Sequence, residues 1–361
     1  MTAGQSLAEG AAGIALWHLE SGQRAQARAA LEHAVADGVS VAGGASLYYG
    51  APALAYVLTT ATAASGLPGL TQATAVAVDG TRRVVHDRLE AAHRRIDRRE
   101  RPEYAEYDLI RGLTGLGVVL RRIGEPDLLR KVLDYLVRLT EPLDGLPGWW
   151  NRTGPHRDRT DWAGGHSNHG IAHGIPGPLA LLSLTHLDGT HVPGHLDAIA
   201  RITAWLDAWE QHTDNGSAWW PQWLSRDEMQ RGQPNQPGPL RPSWCYGTPG
   251  IARAQQLAGR AVSDAHRQRH AEAAFTACAQ DPTQTRRLTD RSLCHGTAGL
   301  LATGRRIAAD ASTPIPQSPL VRLHANSGPD DEPAGFLDGA AGAVLATATT
   351  TTSWDACLLL Y

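Results

Sequence analysis

The chain has 361 residues and a formal net charge of −3, with 42% hydrophobic and 19% charged residues. That length suits one large toroidal domain or two ordinary ones, and so even a charge balance excludes the strongly basic surface of a nucleic-acid partner. No apolar run reaches the roughly 18 residues of a membrane span, residues 1–10 carry no basic export region, and four scattered cysteines are not the framework of a small secreted domain, so a cytosolic protein with reduced thiols is expected.

A motif of two glycines three residues apart punctuates the sequence. Full copies start at Gly10, Gly112, Gly174, Gly247, Gly296 and Gly339, and a weaker copy starts at Gly50, where Pro52 and Ala53 follow in place of the second glycine. The seven copies are spaced by 40, 62, 62, 73, 49 and 43 residues, which accommodates a pair of helices per repeat with variable connections. Apolar runs of helical length follow nearly every copy, as in residues 115–122 and 177–184, so the glycines mark helix N-termini. A lone hairpin of this kind cannot bury its apolar face and stacks on its neighbours. Helix starts that converge on one axis need small residues for close approach. A closed ring is therefore expected over an open superhelix: an all-α (α/α)7 toroid of seven hairpins, one domain over residues 1–361.

Three segments interrupt this rhythm and read as short insertions. The first, about 79–105, is arginine-rich and suits a solvated helix face or loop. The second, about 143–169, is rich in glycine, tryptophan and histidine and reads as a rim loop. The third, about 213–243, carries Ala-Trp-Trp-Pro-Gln-Trp-Leu at 218–224 and reads as a short strand pair and loop. Its tryptophans either hold an extended peptide at a site entrance or pack down to close the ring.

The chemistry gathers at the last repeats. Cys245 lies in Arg-Pro-Ser-Trp-Cys-Tyr-Gly-Thr-Pro-Gly (241–250), and Cys294 and His295 lie in Leu-Cys-His-Gly-Thr-Ala-Gly (293–299). Both cysteines stand two residues before the first glycine of their copy, so a ring brings them to one end of the axis although 49 residues separate them. Two thiolates and an imidazole make a soft zinc site, and three protein donors leave the fourth position open, the catalytic pattern. Such a site favours a substrate thiol as attacker over a hydrolytic water. Cys278 and Cys357 sit in apolar stretches outside this register and read as core cysteines. His173 holds the place before Gly174 that Tyr246 and His295 hold in their copies, Asp108 lies a helical turn before Gly112, and Arg241 stands four residues ahead of Cys245. Each has a structural alternative, since an aspartate there also caps a helix and a lone histidine is often simply a satisfied polar group.

Three further stretches, Tyr-Asp-Leu-Ile-Arg-Gly-Leu-Thr-Gly (107–115), Ala-His-Gly-Ile-Pro-Gly-Pro-Leu-Ala-Leu-Leu (172–182) and Gly-Phe-Leu-Asp-Gly-Ala-Ala-Gly (335–342), join the two cysteine motifs in chain order. Together they resemble the lanthionine synthetase C-like cyclases of lanthipeptide biosynthesis across essentially the whole chain. The resemblance implies Zn2+ on Cys245, Cys294 and His295, with a cysteine of a dehydrated precursor peptide completing the tetrahedron. The implied reaction is Michael-type addition of that thiol to dehydroalanine or dehydrobutyrine, closing a thioether ring. By position, His173 and Asp108 match residues implicated in proton transfer, and Arg241 and Tyr246 match residues that line the site. In this scheme His173 protonates the α-carbon, Asp108 orients His173 or helps to manage the thiol proton, and Arg241 steadies developing negative charge.

A standalone class I cyclase is expected, working with a separate dehydratase and an exporter and so peripheral to a membrane through that assembly. The inserted peptide-recognition subdomain of some standalone members is short or absent in the expected layout, given only residues 79–105 to hold it. Competing readings are addition of glutathione-type thiols to dehydrated residues, a non-catalytic zinc-stabilised peptide-binding scaffold, and a sugar hydrolase using Glu9 and Asp338 across the axis.

Overall fold

The computed structural model describes residues 3–65, 69–155, 162, 164–328, 332–350 and 352–361. Seven inner helices follow the seven glycine motifs: α1 (Ala11–Glu20), α3 (Ala51–Ser65), α5 (Leu113–Ile123), α7 (Pro176–Leu187), α9 (Thr248–Ala261), α11 (Thr297–Asp310) and α13 (Ala340–Thr347). Each inner helix packs on the next in that order, and α13 packs back on α1, so the ring closes. The outer layer is α2 (Arg24–Val35), α4 (Thr71–Asp97), α6 (Pro126–Leu139), α8 (His195–Ala208), α10 (Ala265–Gln280) and α12 (Ser318–Ala325).

The two layers differ as their sequences demand. Inner α7 is buried at every residue from Pro176 to Thr185, as a helix that is apolar on all sides must be. Outer α6 starts with Pro126 at its first position and buries Leu128, Leu129, Val132, Leu133 and Leu136, while Asp127, Arg130 and Asp134 face water. Residues 79–97 continue the 27-residue outer helix α4, whose arginines pair at the surface with Asp79 and Glu125.

The second glycine of each motif has a steric cause. A Cβ at Gly250 would strike the carbonyl oxygen of Trp244, and one at Gly299 that of Leu293, in each case the residue six positions earlier. The same relation holds at Gly13, Gly115, Gly177 and Gly342. Each inner helix thus starts pressed against the loop that leads into it. Gly247, with φ of 151°, also adopts backbone that L side chains rarely take.

These loops are stitched to each other around the axis. The Cys245 N–H donates to the Cys294 carbonyl at 3.1 Å, the Cys294 N–H to Leu337 at 3.0 Å, and the Leu337 N–H to Ala8 at 2.8 Å. The last bond joins the seventh motif to the first and seals the ring.

After α13, the described chain forms a 3-10 turn, Trp354–Leu358, in the place of a seventh outer helix. This segment turns inward and is buried through Leu360. Its carbonyls accept from residues around the ring: Cys357 from the Tyr48 hydroxyl at 2.9 Å, Trp354 from the Tyr56 hydroxyl at 2.8 Å, and Leu358 from the Trp244 indole at 3.0 Å. Arg306 holds Asp355 in a two-pronged ion pair, and the Arg253 guanidinium donates to the Leu360 carbonyl. The apolar tail fills the middle of the ring, and Cys357 is a core cysteine, its thiol pushed up to about 12 by burial.

The strands are short: β1 (His166–Asn168), β2 (Gln211–His212), β3 (Ala218–Trp219) and β4 (Trp223–Ser225). The third interrupting segment does not pair with itself. β3 pairs with β2, and β4 pairs with β1 of the second segment. A capping box between Ser225 and Glu228 then starts a helical turn, Arg226–Arg231, within what reads from sequence as loop. In the second segment, residues 156–161 and 163 lie outside the described residues. Trp149, Trp150, Trp219 and Trp220 are buried, so these tryptophans pack down. Trp223 is half-buried, its ring 5.3 Å from that of Tyr246. No helix among the described residues is long and apolar enough to cross a membrane.

Candidate metal centre

The motif loops bring Cys245, Cys294 and His295 together at one end of the ring. One donor atom from each, two sulfurs and an imidazole nitrogen, lies within 4.8 Å of the other two. Cys245 is buried, and Cys294 and His295 are half-buried toward the opening.

The two thiols act as one titrating unit. Cys245 is lowered to about 7, chiefly because the Cys294 thiol donates to it, with the Ser243 hydroxyl and the Arg241 charge helping against the cost of burial. Cys294 is pushed strongly up by that same hydrogen bond and by burial. The pair releases one proton readily and holds the second. A dication between the sulfurs removes that penalty, because it favours both thiolates. The donor set therefore fits a metal ion.

Carboxylates flank the imidazole. Asp290 Oδ2 lies 3.3 Å from His295 Nε2. Its Oδ1 accepts the Ser292 N–H at 2.8 Å and rests where a Cβ on Gly296 would be. Asp338 Oδ1 lies 3.8 Å from His295 Nδ1, and burial raises the pKa of its carboxyl. A carboxylate behind a ligating histidine fixes its tautomer and raises its basicity.

Beside the cysteines, the His173 Nδ1–H donates to Asp108 Oδ2 at 2.7 Å. Asp108 is fully buried, and its Oδ1 accepts the N–H groups of Arg111 at 2.6 Å and Gly112 at 2.7 Å. One carboxylate thus fastens the turn that leads into α5 and aligns His173, so a structural and a positioning role for Asp108 coexist. With Nδ1 committed, Nε2 is the nitrogen left to exchange a proton. The Tyr246 hydroxyl accepts from Asn168 Nδ2 at 2.8 Å, and its ring lies 6.2 Å from that of His173. Burial pushes this phenol up, so it stays protonated. The Arg241 guanidinium has no hydrogen bond or ion pair among the described residues, and its charge favours thiolate on both cysteines.

The sequence pattern of lanthionine synthetase C-like proteins matches residues 2–359. The chain belongs to the lanthionine synthetase C-like family. Among curated relatives of the family, the nisin biosynthesis protein NisC of Lactococcus lactis subsp. lactis is 24% identical over 274 residues, 71% of this chain. The match spans 65% of that protein, less than two thirds of its length. Among solved structures, nisin cyclase superposes with a TM-score of 0.86 at 22% identity, over 100% of this chain and 93% of that one. The helical toroid is thus a fold that this chain shares with nisin cyclase.

All seven site residues named from sequence fall in this one neighbourhood. Asn168 and Asp290 were not anticipated. Both stand six residues before the first glycine of their motif, the place that Arg241 occupies in its own, and that shared register is the signal that would have found them.

Proposed function

We propose that the chain is a zinc-dependent lanthipeptide cyclase of the standalone class I type, one domain acting on a dehydrated precursor peptide delivered by a separate dehydratase. The observation that carries this reading is the Cys245, Cys294 and His295 cluster at one end of the ring, beside an aligned Asp108–His173 pair and an Arg241 guanidinium with no ion pair among the described residues. Zinc held by the two sulfurs and the imidazole supplies acidification of a peptide cysteine thiol while leaving its sulfur nucleophilic.

The protein's own groups manage the rest. His173 accepts the thiol proton at Nε2 while Asp108 holds its Nδ1–H. The sulfur bonds to the β-carbon of dehydroalanine or dehydrobutyrine, and the displaced π electrons become an enolate. Arg241, with no carboxylate partner among the described residues, stabilises that charge. His173 returns its proton to the α-carbon, so S–H is added across the double bond with no other reactant. Tyr246 and Trp223 form an aromatic wall that orients the peptide and excludes water.

The decisive experiment pairs zinc content with thiol consumption. Wild type, Cys245→Ala and Cys294→Ala are incubated with a dehydrated peptide containing one cysteine, and the remaining thiol is read by alkylation and mass spectrometry. One site-bound zinc per wild-type chain, lost in both variants together with thiol consumption while helicity persists, is expected. Zinc bound with no thiol consumed refutes the cyclase assignment. Consumption of added glutathione in preference to the internal cysteine assigns the intermolecular reaction instead.

A further inference from the structure

A second cluster of metal-binding side chains lies away from the cysteine loops, where inner helix α7 turns into outer helix α8. His186 stands one residue before the end of α7, His191 lies on the connection, and His195 is the first residue of α8. The His186 ring centroid is 5.5 Å from that of His191 and 5.6 Å from that of His195, with planes tilted by 46° and 56° rather than stacked. A cavity of about 270 Å³ adjoins all three, with Asp197 also on its wall.

His195 carries the chemical argument. Its Nε2 faces the Leu182 carbonyl oxygen at 2.8 Å. A carbonyl only accepts, so Nε2 bears the proton and Nδ1 bears a bare lone pair. That Nδ1 is buried with no hydrogen-bond partner, and the His186 Nδ1 is in the same condition. An unmet acceptor buried away from water is costly and calls for an explanation. A ring that donates one N–H to a backbone carbonyl and leaves its other nitrogen without a partner is arranged as a metal ligand is. Two imidazoles sharing one ion through bonds of about 2.0–2.1 Å have centroids roughly 5 to 6 Å apart, the separation seen here.

We propose that His186, His191 and His195 form a second metal site, for a divalent late transition-metal ion of the zinc class, which clips the fourth hairpin at its turn. Imidazole-only donors select such ions over calcium or magnesium. Among the described residues only Cys245, Cys294 and His295 already hold three donor atoms within 4.8 Å, so the histidine site closes when exposed His191 turns on its connection. Water from the adjoining cavity fills the remaining coordination.

The test uses tag-free full-length protein, since an affinity tag would add histidines. The Cys245→Ala/Cys294→Ala chain, which lacks two donors of the first site, is titrated calorimetrically with zinc beside the same chain carrying His191→Ala. One equivalent bound by the former and none by the latter is the expected result. No zinc bound by the former, or equal binding by both, overturns the proposal. Should the cysteine variant fail to fold, the wild-type chain is compared with His191→Ala, and the loss of one equivalent is then the expected result, whether or not the cysteine site takes zinc. Cobalt(II) as a probe of the lost equivalent should give d–d bands without sulfur charge transfer, and a thiolate band there would place the ion on a cysteine and also overturn the proposal.

Discussion

Replacing Asp108 separates the two tasks that its carboxylate performs. In Asp108→Ala, the N–H groups of Arg111 and Gly112 lose their acceptor. At about 1–3 kcal/mol for each donor left unsatisfied, folding stability should fall by roughly 2 to 6 kcal/mol. In Asp108→Asn, the amide oxygen keeps both bonds, so stability should stay close to wild type. Keeping them turns the amide NH2 toward His173 Nδ1, now 2.7 Å from a carboxylate oxygen. His173 Nδ1 must then accept, its proton moves to Nε2, and the neutral ring can no longer take a proton there. Loss of a positioned proton carrier costs about 10²–10⁴ in rate, and a tautomer reversed by this kind of substitution lies at the upper end. The barrier therefore rises by roughly 3 to 5.5 kcal/mol. Single-turnover thiol consumption measures the rate, and urea midpoints measure stability, with zinc content checked in each sample. An Asn variant that cyclises like wild type refutes the proton-transfer role, and one as unstable as the Ala variant refutes the role of its oxygen in holding the turn.

Asp290→Asn should weaken zinc binding by about 10–100-fold with the fold intact, read by chelator competition; unchanged affinity removes Asp290 from the support of His295. Gly299→Ala drives a Cβ into the Leu293 carbonyl beside Cys294 and to 3.2 Å from the Trp244 Cβ, so it should cost about 1–3 kcal/mol and lose metal as well, whereas Ala53→Gly, at the matching place in the weak copy, should cost no more than about 1 kcal/mol. Burial lowers the pKa of His169 from 6.5 to about 4. Between those values the unfolded chain binds a proton that the folded chain refuses, so stability is full above pH 6.5 and falls by about 3 kcal/mol on the way to pH 4. Urea unfolding across that window should show the slope in wild type and a shallower one in His169→Gln.

The ring, its seven inner helices and the meeting of Cys245, Cys294 and His295 were legible because a short local rule repeats. Each second glycine answers a clash within six residues of itself, so the constraint is written in the sequence beside the helix it serves. The Trp-rich segments were ambiguous for the opposite reason. Whether Trp219 and Trp220 face a peptide or the core depends on β3 pairing with β2 and β4 pairing with β1, and neither pairing leaves a periodic trace in strands of two or three residues. The inward tail was hidden as well. Its carbonyls meet Tyr48 and Tyr56 about 300 positions away along the chain, and its apolar composition gives no sign of a place at the axis. Asp290 hid behind a commonplace role, since an aspartate ahead of a helix explains itself as a turn residue until the imidazole behind it is seen.

A ring of helices has two mouths, but here residues 354–360 stopper one of them from within. The cysteine loops therefore floor a blind cup and do not line a tunnel. A peptide that reaches them cannot be threaded through the protein like a strand through a bead. It must dip in as a loop or an end and withdraw by the same opening. Several thioether bridges on one precursor would then come from repeated visits, each able to present a different cysteine, and the order of closure would be set by which loop of the peptide fits the cup next.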